Sequence, residues 1–493
     1  MNRGSALLAL LGLLSCGPKT PPPAPTPPAP VVEDTSWRKT PPTPLAPRPF
    51  AVPDAASGAL SNGLAVSVVS NHEVPKVYVT LSFRDGGWTD PKDRPGLASV
   101  SMDMLNEGAG DMSAEQLSLA LRRLASDLST SAGSDGATIT LSTLKKNLEP
   151  SLDLLALVLT KPTFPASEWE ILRSQRVADL ATELEDPGAL SRRAFWRTLL
   201  GPTYLGLFPT EASYKAMKIA DMKAWTSAHL RPDRGVAMVG GDITLAEIQP
   251  MLESRLKGWT AKGKAPAGTP PTASQLKAPE KTTIYLVDKP GASQSVLRFG
   301  RPVGDRTAPD HDAFQLANDA IGGMFTSRVN MDLREQKGYT YGARSYSFSS
   351  YVSDVWLATT NVRADSTVDS ITEVLKILRG SLSDQPLTAA ELDTARGSSL
   401  GSFPLSFETP GSLLGGLTDI WRYGLPNDWI KGYPDRLRAV TLETANAAWK
   451  ARIDPDKLVI VVVGDAASLR TGLGTLNLPI VELDRDGNPL GKK

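Results

Sequence analysis

The sequence predicts an α+β fold made of two similar domains in tandem. In each half, short stretches with alternating apolar residues, typical of strands, are interspersed with stretches that have helical periodicity. The two halves also end alike, because the segments 232–242 and 455–465 both run from Pro-Asp through an apolar strand to Gly-Asp with the same spacing. A linker-like stretch rich in Pro, Ala and Lys separates them at 262–281. A repeat this long indicates duplicated domains and not a solenoid.

Each element of the first half has a local signal. Residues 59–90 predict two strands separated by a turn at Asn71-His72. Ser113, followed by Gln116, predicts a capped helix start. The remaining predicted elements of this half are a strand over 137–144, a helix over 148–160 and a long helix from Pro165 to Asp186. The second half restarts at 282–300 with what we expect to be paired strands.

The amino-acid composition excludes some classes of function. Lys plus Arg and Asp plus Glu both number 53, so the net charge is zero, which argues against a nucleic-acid partner. The chain has one cysteine, Cys16, and three histidines, His72, His229 and His311. A single cysteine excludes a disulfide framework within the chain and a multi-thiolate metal site.

The N-terminus predicts export. Arg3 precedes a short apolar run that ends in the residues Leu13-Leu14-Ser15-Cys16, and the run is too short to span a bilayer. This end resembles a bacterial lipobox, which implies cleavage before Cys16, a lipid on Cys16 and membrane anchoring. The alternative is an ordinary signal peptide with a chance cysteine. No aspartate follows Cys16, so we expect an outer-membrane lipoprotein with its body in the periplasm.

The proline-rich stretch after Cys16 predicts an extended tether. The predicted organisation follows from these boundaries. It consists of a signal peptide over 1–15, a lipidated cysteine and linker over 16–53, a first domain over 54–261, a second linker over 262–281 and a second domain over 282–486.

The order of several short motifs resembles the pitrilysin/insulinase family of zinc peptidases, the inverzincins. The first half contains LSNGL, FRDGG, PGLA, FPASEWE and EDPGAL, and the second contains DKPGASQS, IGGMFTSRVNMDLREQKGYTYGA and GSFPLSFET. Each match is weak alone, and their shared order across residues 55–485 carries the resemblance. It implies two homologous insulinase-type domains, each a mostly antiparallel sheet packed with helices.

In the family, a helix with H-x-x-E-H binds zinc through both histidines, while the glutamate activates water. The resemblance places these three positions at Ser99, Met102 and Asp103, so both imidazoles and the base are replaced. A third, acidic ligand would lie near Asp179 or Glu183. We expect no metal in this chain, because a methionine takes no proton and a serine is a poor zinc ligand.

The second half retains a different family feature, an arginine and a tyrosine that contact the substrate backbone near the scissile bond. The resemblance assigns this role to Arg334 and Tyr341, with Tyr339 as the alternative tyrosine. A guanidinium is permanently charged, and a phenol can donate to a carbonyl oxygen as negative charge builds there.

Three functions remain open at this point. The first is a non-catalytic, substrate-binding subunit of a heteromeric zinc peptidase, in which a homologous H-x-x-E-H partner holds the zinc and both chains enclose a peptide. The second is an inactive peptide-binding or scaffold lipoprotein of the envelope. The third is a self-sufficient peptidase that uses Asp103 and Asp179 with an oxygen-preferring metal.

Overall fold

The computed structural model describes residues 36–40, 51–201, 203–261, 263, 276 and 278–491. The chain divides into two compact units, 1–49 and 50–493. In the first, the described part is a 3₁₀ turn, Ser36–Lys39. The predicted signal peptide, Cys16 and most of the 262–281 linker lie outside the described residues. Across the described ranges, every helix is too short or too polar to cross a membrane.

The described part of the second unit contains two six-stranded sheets and a two-stranded ribbon. The strands of the first half are β1 Ala56–Ala59, β2 Ala65–Ser70, β3 Lys76–Phe83, β4 Gly108–Ala109, β5 Met112–Ser113, β6 Asp127–Ala132, β7 Ala137–Leu144 and β8 Gly235–Gly241. Those of the second half are β9 Thr283–Asp288, β10 Gln294–Gly304, β11 Thr340–Phe348, β12 Asp354–Arg363, β13 Val459–Gly464 and β14 Ile480–Leu483.

Helices cover the sheets in both halves. In the first half they are α1 Leu97–Asp103, α2 Ala114–Arg123, α3 Leu148–Thr160, α4 Ala166–Glu183, α5 Pro187–Leu200, α6 Glu211–Ala216, α7 Ile219–His229 and α8 Leu245–Leu256. In the second they are α9 His311–Asn318, α10 Arg328–Asn330, α11 Thr367–Leu382, α12 Ala389–Ser402, α13 Pro410–Tyr423, α14 Tyr433–Ala439, α15 Leu442–Arg452 and α16 Ala466–Gly474. Two π-helical turns, Asp319–Gly323 and Met331–Gln336, flank α10.

The two sheets have matching topology, which confirms the predicted duplication. The first has the order β1-β2-β8-β3-β7-β6, and the second, taken from its opposite edge, has β14-β9-β13-β10-β12-β11. In both, a late strand (β8 or β13) lies parallel to one early strand and antiparallel to the other. Most pairs in each sheet are antiparallel, as predicted. The outer strands β1 and β14 differ, because β1 pairs antiparallel with β2 whereas β14 pairs parallel with β9.

The expectation of paired strands at 282–300 was wrong. β9 and β10 are separated in the sheet by β13, which comes from the far end of the domain. The two strands at 59–90 are separated by β8 in the same way. Fully buried, apolar β8 and β13 fill the centre of each sheet, where both faces are covered. Local sequence does not reveal such a pairing.

Helix α5 joins the two halves. It belongs to the first half by sequence, yet its apolar side packs on one face of the second sheet, where Leu190, Ala194 and Phe195 form a core with residues of β10 and β13. A buried carboxylate adds a polar connection. Asp135 accepts hydrogen bonds from the Tyr204 hydroxyl, from the backbone N–H of Tyr351 at 2.8 Å and from the Tyr423 hydroxyl at 3.0 Å.

Candidate functional site: a degenerate metal helix and an arginine–tyrosine cavity

The Asp90 carboxylate caps the N-terminus of helix α1. Asp90 accepts hydrogen bonds from the backbone N–H groups of Gly96 at 2.7 Å and Ala98 at 2.8 Å, which satisfies donors that a helix start leaves free. Burial raises the pKa of Asp90 to about 7, and these hydrogen bonds oppose the rise. The α-helix ends at Asp103, and a 3₁₀ turn continues the chain to Asn106.

The three motif positions do not form a set of ligands. Met102 is fully buried in the core of the first half, and its backbone carbonyl accepts a hydrogen bond from the Thr130 hydroxyl at 2.7 Å. Ser99 is half-buried and lines a cavity of about 300 Å³ together with Arg192 and Trp196. Asp103 is also half-buried and faces α4.

The guanidinium of Arg176 lies beside Asp103, the position that the resemblance aligns with a metal ligand. Arg176 of α4 donates to the Asp103 carboxylate at 2.5 Å. Burial raises the pKa of Asp103, and the Arg176 charge opposes this rise. Asp179, the predicted third ligand, lies one turn further along α4 and is exposed. The alternative, Glu183, pairs with Arg192 at 2.7 Å.

Zinc therefore does not fit this donor set. The three histidines each pair with an aspartate other than Asp103: His72 with Asp242, His229 with Asp85 and His311 with Asp354. Within the described ranges, no group of three or more His, Cys, Asp or Glu side chains is arranged to hold a metal ion. The positive charge of Arg176 beside Asp103 also opposes binding of a cation at that carboxylate.

The arginine and the tyrosine predicted from the second half line one cavity. This cavity, of about 680 Å³, lies over the β10–β12–β11 face of the second sheet and contains both Arg334 and Tyr341. Tyr341, on β11, is 93% exposed. Arg334 lies in the π-helical turn 331–336, where its guanidinium is 4.6 Å from the centre of the Phe325 ring and 3.4 Å from the Glu335 carboxylate.

The alternative tyrosine lies elsewhere. Tyr339 is half-buried against the core of the second half, and its hydroxyl is 3.4 Å from an oxygen of Asp369. Gly338 has a φ of 64°, a left-handed conformation that favours glycine, and it turns the chain between Arg334 and β11. The structure thus brings Arg334 and Tyr341 together, and it places Ser99 in a different cavity.

Sequence reasoning missed two further arginines of this cavity, Arg298 on β10 and Arg344 on β11. It also missed Arg176. For Arg176 a signal existed, because it precedes Asp179 by three residues on one helix and therefore lies near the same face. For Arg298 and Arg344 the signal was weaker. Arg298 interrupts a largely apolar strand and Arg344 lies in a mostly polar one, and their proximity depends on a strand order that the sequence does not reveal.

The matching topology of the two sheets defines a class of protein, a duplicated α+β fold. Family comparison agrees. Residues 65–195 match the model described as "Insulinase (Peptidase family M16)", and residues 216–398 match the model described as "Peptidase M16 inactive domain". The chain belongs to the insulinase (M16) peptidase family.

Individual relatives extend the likeness along the chain. A Helicobacter pylori protein named "Non-peptidase homolog YmxG" is 25% identical over 398 residues, which is 80% of this chain and 90% of that protein. A Bacillus subtilis protein named "Uncharacterized zinc protease YmxG" is 23% identical over 359 residues, 71% of this chain and 84% of that protein.

Solved structures share the fold. The peptidase M16 inactive domain from Pseudomonas fluorescens superposes with a TM-score of 0.76 at 25% identity and covers 83% of this chain and 98% of its own. The periplasmic protease PqqL from Escherichia coli superposes with a TM-score of 0.70 at 16% identity. That match covers 86% of this chain but 46% of PqqL, and the first half of PqqL has also been solved separately.

Proposed function

We propose that this chain is the non-catalytic, substrate-binding subunit of a heteromeric insulinase-type zinc peptidase that acts on peptides in the cell envelope. The observation that carries the proposal is the division of the site. Arg334 and Tyr341 line an open cavity, while the positions for zinc and its base hold Ser99, a core methionine and an Asp103 already paired with Arg176.

Arg334 and Tyr341 have the properties of a peptide clamp. The Tyr341 hydroxyl is free to donate to a substrate carbonyl, because the ring projects into solvent and no described group bonds it. The guanidinium of Arg334 is held against the Phe325 ring, which limits its motion. Two donors near one carbonyl oxygen would stabilise negative charge that develops there during hydrolysis.

An edge strand supports binding of an extended peptide. β6 is at the edge of the first sheet beside α1, and within the described chain its backbone is hydrogen-bonded to β7 alone. An exposed edge of this kind accepts an additional strand through main-chain hydrogen bonds, which are independent of side-chain identity. The peptide would gain affinity at β6 and orientation at Arg334.

The chemistry must then come from a second chain. We propose a homologous partner with an intact H-x-x-E-H helix, which supplies the zinc and the glutamate base. PqqL supports the arrangement, because this chain matches about half of its length. A periplasmic location is proposed on the same likeness and on the expected export signal, with anchoring to the outer membrane through Cys16.

The test begins with the partner. The full chain, tagged at its C-terminus, is isolated in detergent from its own cells, and co-purifying chains are searched by mass spectrometry for H-x-x-E-H. Peptide cleavage and zinc content are then measured for each chain and for the mixture. We expect cleavage in the mixture only, and zinc bound by the partner.

Substitution of Arg334 tests whether this side chain acts in peptide cleavage. Arg334→Ala should lower turnover of the mixture by about a hundredfold, the size of a lost transition-state donor, with a smaller effect on KM. Arg438→Ala is the matched control, because Arg438 is an exposed arginine on α14 whose ion-pair partner is Asp435. Cleavage by this chain alone, or an active mixture insensitive to Arg334→Ala, would overturn the proposal.

A second candidate is a peptide-binding or scaffold lipoprotein without any peptidase partner. The name of the Helicobacter pylori relative, a non-peptidase homolog, favours it. The same isolation separates the two functions. Peptide binding by this chain, with no H-x-x-E-H chain co-purified and no cleavage in any mixture, is the result expected of a scaffold.

A further inference from the structure

The cavity that contains Arg334 and Tyr341 carries more positive charge than a backbone clamp requires. Arg298 and Arg344 line it as well, and none of its lining residues is acidic. We call this site the arginine cavity, defined by Arg298, Arg334, Arg344 and Tyr341.

Two of these arginines lie in one row across the sheet. Arg344 of β11 is in register with Thr359 of β12, and Thr359 is in register with Arg298 of β10. Residues directly opposite one another on neighbouring strands have side chains on the same face. The side chains of Arg298, Thr359 and Arg344 therefore lie side by side on one face of the sheet, with Thr359 between the two arginines.

The charges of this row are not neutralised within the described chain. Arg334 has Glu335 nearby, whereas Arg298 and Arg344 form no ion pair with a described acidic side chain. Arg298 is half-buried, and its Nε is buried without a hydrogen-bond partner. Burial lowers the pKa of Arg298, and the positive charges of Arg192 and Arg344 act in the same direction. A partly buried guanidinium without a counter-charge is costly, so an anion beside Arg298 would be bound favourably.

We propose that the arginine cavity binds the carboxylate of a glutamate or aspartate side chain in the peptide, so that the subunit selects acidic peptides. This inference rests on the proposed function, because it takes a peptide to be the ligand of Arg334 and Tyr341. A carboxylate between Arg298 and Arg344 would accept charge-assisted hydrogen bonds from both guanidinium groups.

The shape of the site favours a peptide over a small free anion. The cavity is several times larger than one carboxylate, and it also presents the exposed rings of Tyr341 and Phe325. The peptide would cross this face and not extend the second sheet, because two side-chain amides already bond backbone groups of β11. The Ala343 N–H donates to the Asn330 carboxamide at 2.9 Å, and the Asn318 carboxamide donates to the Ser345 carbonyl at 3.3 Å.

The experiment measures binding by the full chain alone, in detergent and at low salt. Short fluorescent peptides, acetylated and amidated to remove both terminal charges, carry one Glu or one Gln at successive positions, and anisotropy gives each Kd. We expect Glu to bind about tenfold more tightly than Gln at one position, the effect of one charged hydrogen-bonded pair. Arg344→Gln should abolish this preference, and Arg344→Glu should transfer it to a Lys peptide.

Two further proteins complete the design. Arg298→Gln tests the other end of the row, and Arg438→Gln, outside the cavity, should retain the preference. Equal binding of Glu and Gln peptides would overturn this inference and leave the proposed function intact. Equal competition by acetate and phosphate would also overturn it. No binding of any peptide would instead overturn the proposed function, and this inference with it.

Discussion

The ion pair between Asp103 and Arg176 gives the most specific prediction about helix α1. Replacing Arg176 by alanine removes the one ion-pair partner that the described chain gives Asp103, and leaves a carboxylate that is only 23% exposed. Arg176 itself is 33% exposed, so the pair lies between the surface and buried classes. We expect Arg176→Ala to destabilise the protein and to raise the pKa of Asp103 further.

The magnitude follows from distance and burial. With charge centres about 4 Å apart and an effective dielectric constant of about 20, the attraction is about 4 kcal/mol before desolvation. Exposed pairs retain less than about 1 kcal/mol, and breaking a buried pair costs about 3–5 kcal/mol. For this half-buried pair we expect a coupling free energy of about 1–2 kcal/mol.

The assay is a double-mutant cycle in urea. The free energy of unfolding is measured for the wild type, Asp103→Asn, Arg176→Ala and the double variant, so that the coupling is separated from losses specific to each side chain. The matched control is Arg173→Ala, an arginine one turn earlier on α4 whose partner Glu170 is exposed. Arg173→Ala should cost less than about 0.5 kcal/mol.

A coupling below about 0.3 kcal/mol would refute the reasoning. It would mean that the guanidinium does not compensate the Asp103 carboxylate, and the electrostatic argument against a cation there would fail. Zinc titration of the same four proteins provides a second check. None should bind zinc tightly, because no variant supplies an imidazole.

The remaining predictions concern packing, polar networks and pH. Asp135→Ala removes the acceptor of three part-buried donors and should lower the free energy of unfolding, measured in urea, by about 3 kcal/mol; a loss below about 1 kcal/mol would contradict this. Burial raises the pKa of Asp319 to about 6, so the folded state binds its proton more tightly than the unfolded state. Stability should therefore fall as pH rises from about 4 through 6, and Asp319→Asn should flatten that part of the profile relative to wild type. A methyl group at Gly322 would lie 2.3 Å from the Ser345 hydroxyl of β11, so Gly322→Ala should lower the melting temperature by several degrees. Gly342→Ala should not, because its methyl group would meet no atom closer than 3.9 Å.

Local signals predicted the elements that depend on local physics. The helix over 148–160 has the predicted bounds, because its apolar residues recur at helical spacing. Ser113 and Gln116 form the predicted capping box, in which each side chain bonds the other's backbone N–H. β6 was missed, since its sequence DLSTSA is polar and lacks the alternation of a half-buried strand.

The candidate site was also predictable only in part, because local motifs identified residues but not the contacts between distant segments. Motif order was enough to align Ser99, Met102 and Asp103 on one helix and to pair Arg334 with Tyr341. It did not reveal that a guanidinium from α4 pairs with Asp103, because that contact joins residues 73 positions apart. The arginine row was equally hidden, since it exists only once strands from three places in the second half are side by side.

Asn318 and Asn330, which bond to the backbone of β11, bear on whether this edge strand can pair with a strand of another molecule. The Asn330 carboxamide accepts a hydrogen bond from a β11 N–H, and the Asn318 carboxamide donates one to a β11 carbonyl. Together they replace hydrogen bonds that a neighbouring strand would otherwise make. Asn318 is further fixed by the Trp356 indole N–H at 2.8 Å. An aliphatic residue at either position would leave a backbone group of β11 without its partner, so these buried amides help to keep that strand from pairing with another chain.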